Sequence, residues 1–166
     1  MYIIIVGGGN VGHFLAKRLY DDKNIVCLIE KDEKICERLA EELDILIING
    51  DGCDPKYLEE AGIKRADVVA AVTGIDEDNL IICQLAKEIF NVSRTVAMVN
   101  DSRNESTFND LGVDVAVDST RIIAKIIEEE ASFQDIINLM TFKRGKLAIV
   151  RVDLTKNSPV VNKQIM

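Results

Sequence analysis

The sequence predicts an α/β domain: a doubly wound parallel sheet of six strands, followed by a short C-terminal extension. Three observations lead there. Short β-branched runs alternate with segments of helical periodicity as far as about residue 131. The loop Gly7-Gly8-Gly9-Asn10-Val11-Gly12 reads G-x-G-x-x-G and stands between the first such run and the first helical segment. An acidic residue, Glu30, closes the second run at the distance a dinucleotide-binding loop requires.

Each element has its own reason. Tyr2 to Val6 is an unbroken apolar run, the mark of a strand buried on both faces. Asn10 to Tyr20 reads as a helix with Phe14, Leu15, Ala16 and Leu19 turned inward. Ile25 to Glu30 is the second strand, and Asp32 caps a helix through about Leu43. Ile45 to Ile48 is the third strand. Asp54-Pro55 opens a short helix that Gly62 stops. Val68 to Val72 is the fourth strand and Asp76 to Asn91 the fourth helix. Thr95 to Val99, a short helix from Arg103 to Leu111 ended by Gly112, and Val113 to Val117 complete the Rossmann-like alternation. A helix from Ser119 to about Ala131 follows, with Ile122, Ile123, Ile126 and Ile127 expected inward.

After that the pattern changes. Asp135 to Phe142 and Leu147 to Leu154 flank Lys143-Arg144-Gly145-Lys146 as a hairpin would. Lys156 to Val161 reads as the opening of a further unit, which the chain stops short of completing. The expected division is residues 1–131, nucleotide-binding, and 132–166, hairpin extension and start of a second domain.

Composition narrows the function. The 166 residues carry 20 basic and 28 acidic side chains, a net charge of -8, which argues against nucleic acid or an anionic membrane surface held by bulk charge. The apolar runs are too short to span a bilayer, and the start lacks a basic signal-peptide region, so a cytoplasmic chain is expected. Cys27, Cys36, Cys53 and Cys83 show no C-x-x-C spacing and the one histidine, His13, has no partner pattern; no metal site or disulfide framework is expected. Cys53, in a predicted loop, is the thiol to test for reactivity.

The loop and what faces it carry the chemistry. Gly7 permits the tight turn out of the strand, Gly9 lets a pyrophosphate approach the backbone, and Gly12 lets the helix pack closely. Unpaired N–H groups at the helix start complete an anion site. Glu30 accepts from both adenosine-ribose hydroxyls and repels a 2′-phosphate, favouring NAD or an unphosphorylated adenosine over NADP. Lys31, a neighbouring cation, works against that discrimination. Asn49 to Gly52 lies near the adenine, as a binding turn or as an ordinary one. Thr73 and Gly74 end the fourth strand and face the glycine loop across the switch point. Asp76, Glu77 and Asp78 in a first turn serve capping and the dipole, with a divalent-metal role as the lesser reading. The apolar arc of that helix (Leu80 to Cys83, Leu85, Ala86, Ile89 and Phe90) is wider than one sheet-facing stripe, so the excess is expected to face another element or a second subunit, with a thick local core as the lesser reading.

Together GGGNVGHFLAKRL (7–19), LIEKD (28–32), NGDGCDPKYLEEAGIKRADVVAAVTGIDEDNL (49–80) and VNDSRNESTFNDLGVDVAVDST (99–120) resemble the RCK/KTN family, including its TrkA-type subunits, over about the first three-quarters of the chain. These are cytosolic nucleotide-binding regulators of potassium channels and transporters. The resemblance implies pyrophosphate contacts at Gly7, Gly9, Asn10 and Val11, with Gly12 behind them. It implies ribose contacts at Glu30 and Lys31, adenine-side contacts at Asp51 and Cys53, and far-end contacts at Thr73 and Asn79. Arg103 matches a basic position that meets a phosphate or a neighbouring subunit. Cys53 departs from the small hydroxyl or alanine expected there. The stretch from Gly145 to Val161 resembles the start of the family's regulatory C-terminal domain. The implied ligands are NAD(H) or ATP/ADP. The implied partners are further copies of the chain, as a dimer or ring, and a membrane-embedded potassium transporter or channel subunit at the inner face of the plasma membrane. The helix from Ser119 to Ala131 is implied to reach a partner subunit.

That reading makes the chain a non-enzymatic sensor with no catalytic residues. Two others compete: an NAD-dependent oxidoreductase cofactor domain, which would need a substrate domain and an acid–base group near the nicotinamide, and the soluble module of a cation–proton antiporter.

Overall fold

The computed structural model describes residues 1–131, 136–142 and 147–152. It divides into two compact units, Met1–Thr120 and Arg121–Met166. In the first, β1 (Tyr2–Val6), α1 (Asn10–Asp21), β2 (Ile25–Glu30), α2 (Glu33–Glu42), β3 (Leu46–Asn49) and α3 (Pro55–Glu60) build one half. The other half is β4 (Val68–Ala71), α4 (Asp76–Gln84), β5 (Arg94–Val99), α5 (Glu105–Asp110) and β6 (Val115–Asp118). The six strands pair in parallel in the order β3-β2-β1-β4-β5-β6, the doubly wound arrangement the sequence predicts.

The apolar runs end up covered on both faces. Along β1, Ile3 and Ile5 pack with Leu28, Ala16 and Leu39, whereas Ile4 and Val6 pack with Ile29, Val69, Leu58 and Ile82. Successive side chains point to opposite faces, so a strand between two helix layers must be apolar at every position. Local signals close the elements. Asp32 accepts from the N–H groups of Lys34 at 2.9 Å and Ile35 at 3.3 Å, Asp54 caps α3 with Pro55 in its first turn, and Gly62 ends it in the left-handed region at φ 72°.

Three expectations give way. Phe14 is 73% exposed; α1 turns Gly12 and Ala16 fully inward, with Leu15 and Leu19 at the margin, and that arc leaves no place for position 14. The helix predicted from Asp76 to Asn91 is α-helical only to Gln84 and continues as a π-helical turn over Leu85–Ile89. Within it Ala86 is buried, and Lys87 Nζ meets the Gly112 carbonyl at 2.6 Å and the Asp114 carboxylate at 2.5 Å. On α6 (Ser119–Ala131) no residue is buried, and Ile122, Ile123, Ile126 and Ile127 are half exposed or more rather than inward.

In the second unit β7 (Ile136–Phe142) and β8 (Leu147–Val152) pair antiparallel, the predicted hairpin, with a register shift between Asn138 and Met140. The turn at 143–146 and the predicted opening of a further unit at 156–161 lie outside the described residues.

Candidate nucleotide site

A cleft of about 310 Å³ opens at the carboxyl ends of β1, β2 and β4, where the strand order reverses. Gly7, Gly9, Glu30, Lys31, Asp51 and Thr73 line it, together with Gly74 and Asp78.

The glycine loop has three distinct constraints. Gly7 has φ 110°, and a Cβ there would lie 2.9 Å from the backbone of Val72 and Thr73. A Cβ on Gly12 would lie 1.8 Å from the Gly7 carbonyl oxygen, so the close approach is to the loop itself more than to the sheet. Gly9 is different: its Cβ would project into open space, from an extended backbone that any residue adopts. Gly7 and Gly12 are therefore glycine for the fold, whereas no packing contact requires glycine at position 9.

Glu30 is fixed against this loop. One carboxylate oxygen accepts the Gly8 N–H at 2.6 Å and the other accepts the Asp32 N–H at 2.8 Å. A carboxylate has roughly four acceptor positions, so two remain for hydroxyls of a ligand. The Asn49 amide holds the backbone beneath it, donating to the carbonyls of Glu30 at 3.1 Å and Lys31 at 3.3 Å. Lys31 reaches across the cleft: its Nζ lies 3.5 Å from the Asp78 carboxylate in the first turn of α4.

The far lip is built from buried polar groups. Asn79 is fully buried and does not line the cleft. Its Oδ1 accepts from the Thr73 N–H at 2.8 Å and hydroxyl at 2.7 Å, and its Nδ2 donates to the carbonyls of Thr73 at 3.2 Å and Met98 at 2.8 Å. Both halves of the amide are thus consumed by the fold. The Asp76 carboxylate accepts from the N–H groups of Asn100 (2.7 Å) and Asp101 (3.0 Å) and from the Asn100 and Asn104 side chains, both at 2.9 Å. Burial alone would raise this carboxyl, but those donors outweigh it and hold it below the ordinary range. A lattice of amide donors is what a carboxylate built into structure requires, and the described residues contain no cluster of metal-ligating groups.

The remaining predicted residues fall around the cleft. Asn10 and Val11 are exposed, and neither is among the residues that line the cleft. Cys53 sits behind Asp51, its N–H on the Asp51 carboxylate at 2.9 Å and its thiol 3.8 Å from the Asp78 carbonyl. Burial and then the Asp78 and Asp51 charges push that thiol up to about 12, so it stays protonated at neutral pH, which counts against reactivity at the thiol the sequence singles out for testing. Arg103 is 88% exposed, forked onto Asp101, and is not among the lining residues. His13 lies on the outer side of α1, 3.0 Å from Glu42. The sequence passes over Gly8 and marks Asp78 as a helix-end charge or, as the lesser reading, part of a metal cluster; the acidic first turn of α4 is the signal available for its place in the cleft.

A doubly wound sheet, an open glycine-loop helix start and a fixed strand-end carboxylate at the switch point define a Rossmann-type nucleotide-binding domain. Within that class the chain belongs to the TrkA-N domain family, whose sequence model matches residues 3–119. The Trk system potassium uptake protein TrkA homolog of Methanothermobacter thermautotrophicus is 38% identical over 165 residues, covering 99% of this chain and 76% of the relative. The Trk system potassium uptake protein TrkA of Mycobacterium tuberculosis is 37% identical over 166 residues, covering 96% of this chain and 72% of its own. Among solved structures, a GsuK channel bound to NAD superposes with a TM-score of 0.72 at 18% identity, over 79% of this chain and 24% of that one.

Proposed function

We propose that the chain is a nucleotide-responsive regulatory subunit of a potassium uptake system, acting by binding and without turnover. The observation that carries this is Glu30, fixed by two backbone N–H groups opposite a glycine loop whose Gly9 position is open. Relatives named as potassium uptake proteins, matched along nearly the whole chain, support the physiological setting.

The ligand is an adenine nucleotide, NAD(H) or ATP/ADP. Backbone N–H groups around Gly9, Asn10 and Val11 take the pyrophosphate, aided by the α1 dipole. Glu30 takes the ribose hydroxyls, the Gly50–Gly52 turn with Asp51 takes the adenine side, and Thr73 with Gly74 forms the lip beyond the phosphates. Asn79 acts through Thr73, not by touching the ligand. Arg103, turned to solvent, is reserved for a neighbouring subunit.

Hydride transfer would need a proton-transfer group near the nicotinamide. The chain's one histidine is on the outer side of α1 and the Cys53 thiol is held protonated, which favours sensing over catalysis. Sensing requires that ligands bind two conformations unequally. The lip residue Thr73 is tied through Asn79 to α4, and α4 with its π-helical turn exposes Ile81 and Ile89, at 45% and 62%, to a second copy. A shift at the lip thereby reaches subunit packing. No helix among the described residues is long and apolar enough to cross a membrane. The chain then works in the cytoplasm, as an oligomer against a membrane-embedded transporter or channel subunit.

The test combines titration calorimetry, scattering and flux. NAD(H) and ADP or ATP should compete for one site per subunit and give different small-angle scattering and different potassium flux with the membrane partner. Identical scattering and flux with every nucleotide would reduce the chain to a nucleotide-binding scaffold, and turnover of NAD(H) with a small alcohol or keto acid would make it an enzyme.

A further inference from the structure

Glu30 alone would make the cleft hostile to a 2′-phosphate, yet the next residue is a lysine whose long side chain can reach a phosphate on the same ribose. The structure gives that lysine another partner. Its ammonium lies 3.5 Å from the Asp78 carboxylate, on the opposite half of the fold. The two ends differ in mobility. The Lys31 side chain is 60% exposed, whereas that of Asp78 is 26% exposed and belongs to a helix start held by the buried Asp76 and Asn79 lattices. The Cys53 thiol, against the Asp78 carbonyl at 3.8 Å, backs the same turn. Asp78 therefore decides where the ammonium rests, and Lys31 follows.

We infer that Asp78 is a specificity-determining positioning residue, which draws Lys31 away from the adenosine ribose and so keeps the site selective for nucleotides with a free 2′-hydroxyl. The inference rests on the reading of the cleft as an adenine-nucleotide site. Its logic is electrostatic. Of the residues lining the cleft, Glu30, Asp51 and Asp78 are acidic and Lys31 is the one base. With Lys31 on Asp78, a 2′-phosphate meets the Glu30 carboxylate with no cation assigned to it. Without the Asp78 charge, the ammonium is free to turn to a phosphate beside Glu30, where an ammonium–phosphate hydrogen bond is among the stronger kinds. The ion pair itself is exposed and weak, so the bias it adds against a 2′-phosphate is small.

The experiment measures dissociation constants of the full chain for NADH and NADPH by calorimetry, with AMP and adenosine 2′,5′-bisphosphate as the matching mononucleotides. Wild type should prefer the free 2′-hydroxyl in each pair. Asp78→Asn should narrow that preference by about two- to fivefold, chiefly by tightening the 2′-phosphorylated ligand, as release of Lys31 from an exposed ion pair would. Asp78→Glu should restore it. Lys31→Gln alone should leave the wild-type preference nearly as it was, and Lys31→Gln with Asp78→Asn should lose the gain of Asp78→Asn. A gain that persists without Lys31 would mean that Asp78 acts by bulk charge and would overturn the role assigned to it. So would an unchanged ratio in Asp78→Asn. Equal weakening of both members of a pair would signal damage to α4 and likewise reject the role. If wild type binds no member of either pair, it is the nucleotide reading itself that fails.

Discussion

The two helices that open onto the cleft, α1 and α4, both start without a side-chain cap but differ in the side chains around that start. α1 starts behind Gly9, which brings no side chain to cap it, so its first-turn N–H groups are left to whatever enters. α4 starts among side chains that are already spent: Asp76 clamps the segment after β5, and Asn79 bolts Thr73 to β5 itself. One lip is bare backbone and the other is a closed hydrogen-bonded lattice. Under the proposed function the bare lip is the one to hold a ligand and the lattice the one to report it, because a closed lattice moves only as a whole.

The comparison breaks first at Asn79. Asn79→Ala would leave the Thr73 N–H and the Met98 carbonyl without their partner in a buried setting, and about 2–4 kcal/mol of unfolding free energy should go with it. Urea denaturation checks this; a loss well under 1 kcal/mol would mean the far lip is not bolted. Gly9→Val should do the reverse. Its side chain occupies the space left for a pyrophosphate, so affinity for NADH or ADP should fall at least ~100-fold while stability stays within about 0.5 kcal/mol. Stability falling along with affinity would place Gly9 with Gly7 and Gly12 as a residue of the fold.

A gentler probe is pH. The Asp76 carboxyl is held below its unfolded value, so the stabilisation is complete above the ordinary carboxylate range, near pH 4, and is lost as pH falls through the lower folded value. Asp114 is shifted the same way: burial would raise it, but hydrogen bonds from Lys87 and Thr95 prevail. Urea midpoints measured from neutral pH down to strongly acid pH should fall more steeply for wild type than for Asp76→Asn; parallel curves would show that the clamp contributes no such linkage. Least disruptive to the subunit is Ile89→Glu, on an exposed position where stability should change by under about 0.5 kcal/mol. Light scattering should nonetheless show weaker self-association, and wild-type assembly would remove Ile89 from any contact between copies.

The sheet order was legible in the sequence because β-branched runs, caps and glycine stops agree on it from Tyr2 to Asp118. Half of the cleft was legible too. Glu30 and the glycine loop are recognised by spacing, and spacing survives folding. Asn79 was not placed correctly, since a polar residue near a site reads the same whether its amide faces a ligand or a buried carbonyl. Phe14 shows the same limit from the apolar side: periodicity marks an arc, but the width of the arc is set by how closely Gly12 lets α1 approach the loop. The π-helical turn at Leu85–Ile89 has no compositional mark, because it arises from where Ala86 and Lys87 find their places against the rest of the second half. Ile82, which the apolar arc leaves indistinguishable from its neighbours, is 1% exposed and belongs to the core, whereas Ile81 and Ile89 face outward.

The strand at the centre of the sheet, β1, precedes in sequence both of the strands that flank it. β1 pairs on one side with β2, Ile3 beside Val26, and on the other with β4, Ile3 beside Val68. During synthesis, then, β1 is made before both of its partners and gains one neighbour early, but its other edge stays unpaired while everything from Gly7 to Asp67 is made. At ordinary synthesis rates that interval lasts seconds, long compared with the collapse of a short chain. An exposed edge of this kind invites pairing with another nascent chain. The topology that places the cleft at the switch point thus also sets the interval in which a holdase would matter most, and it ends when β4 docks.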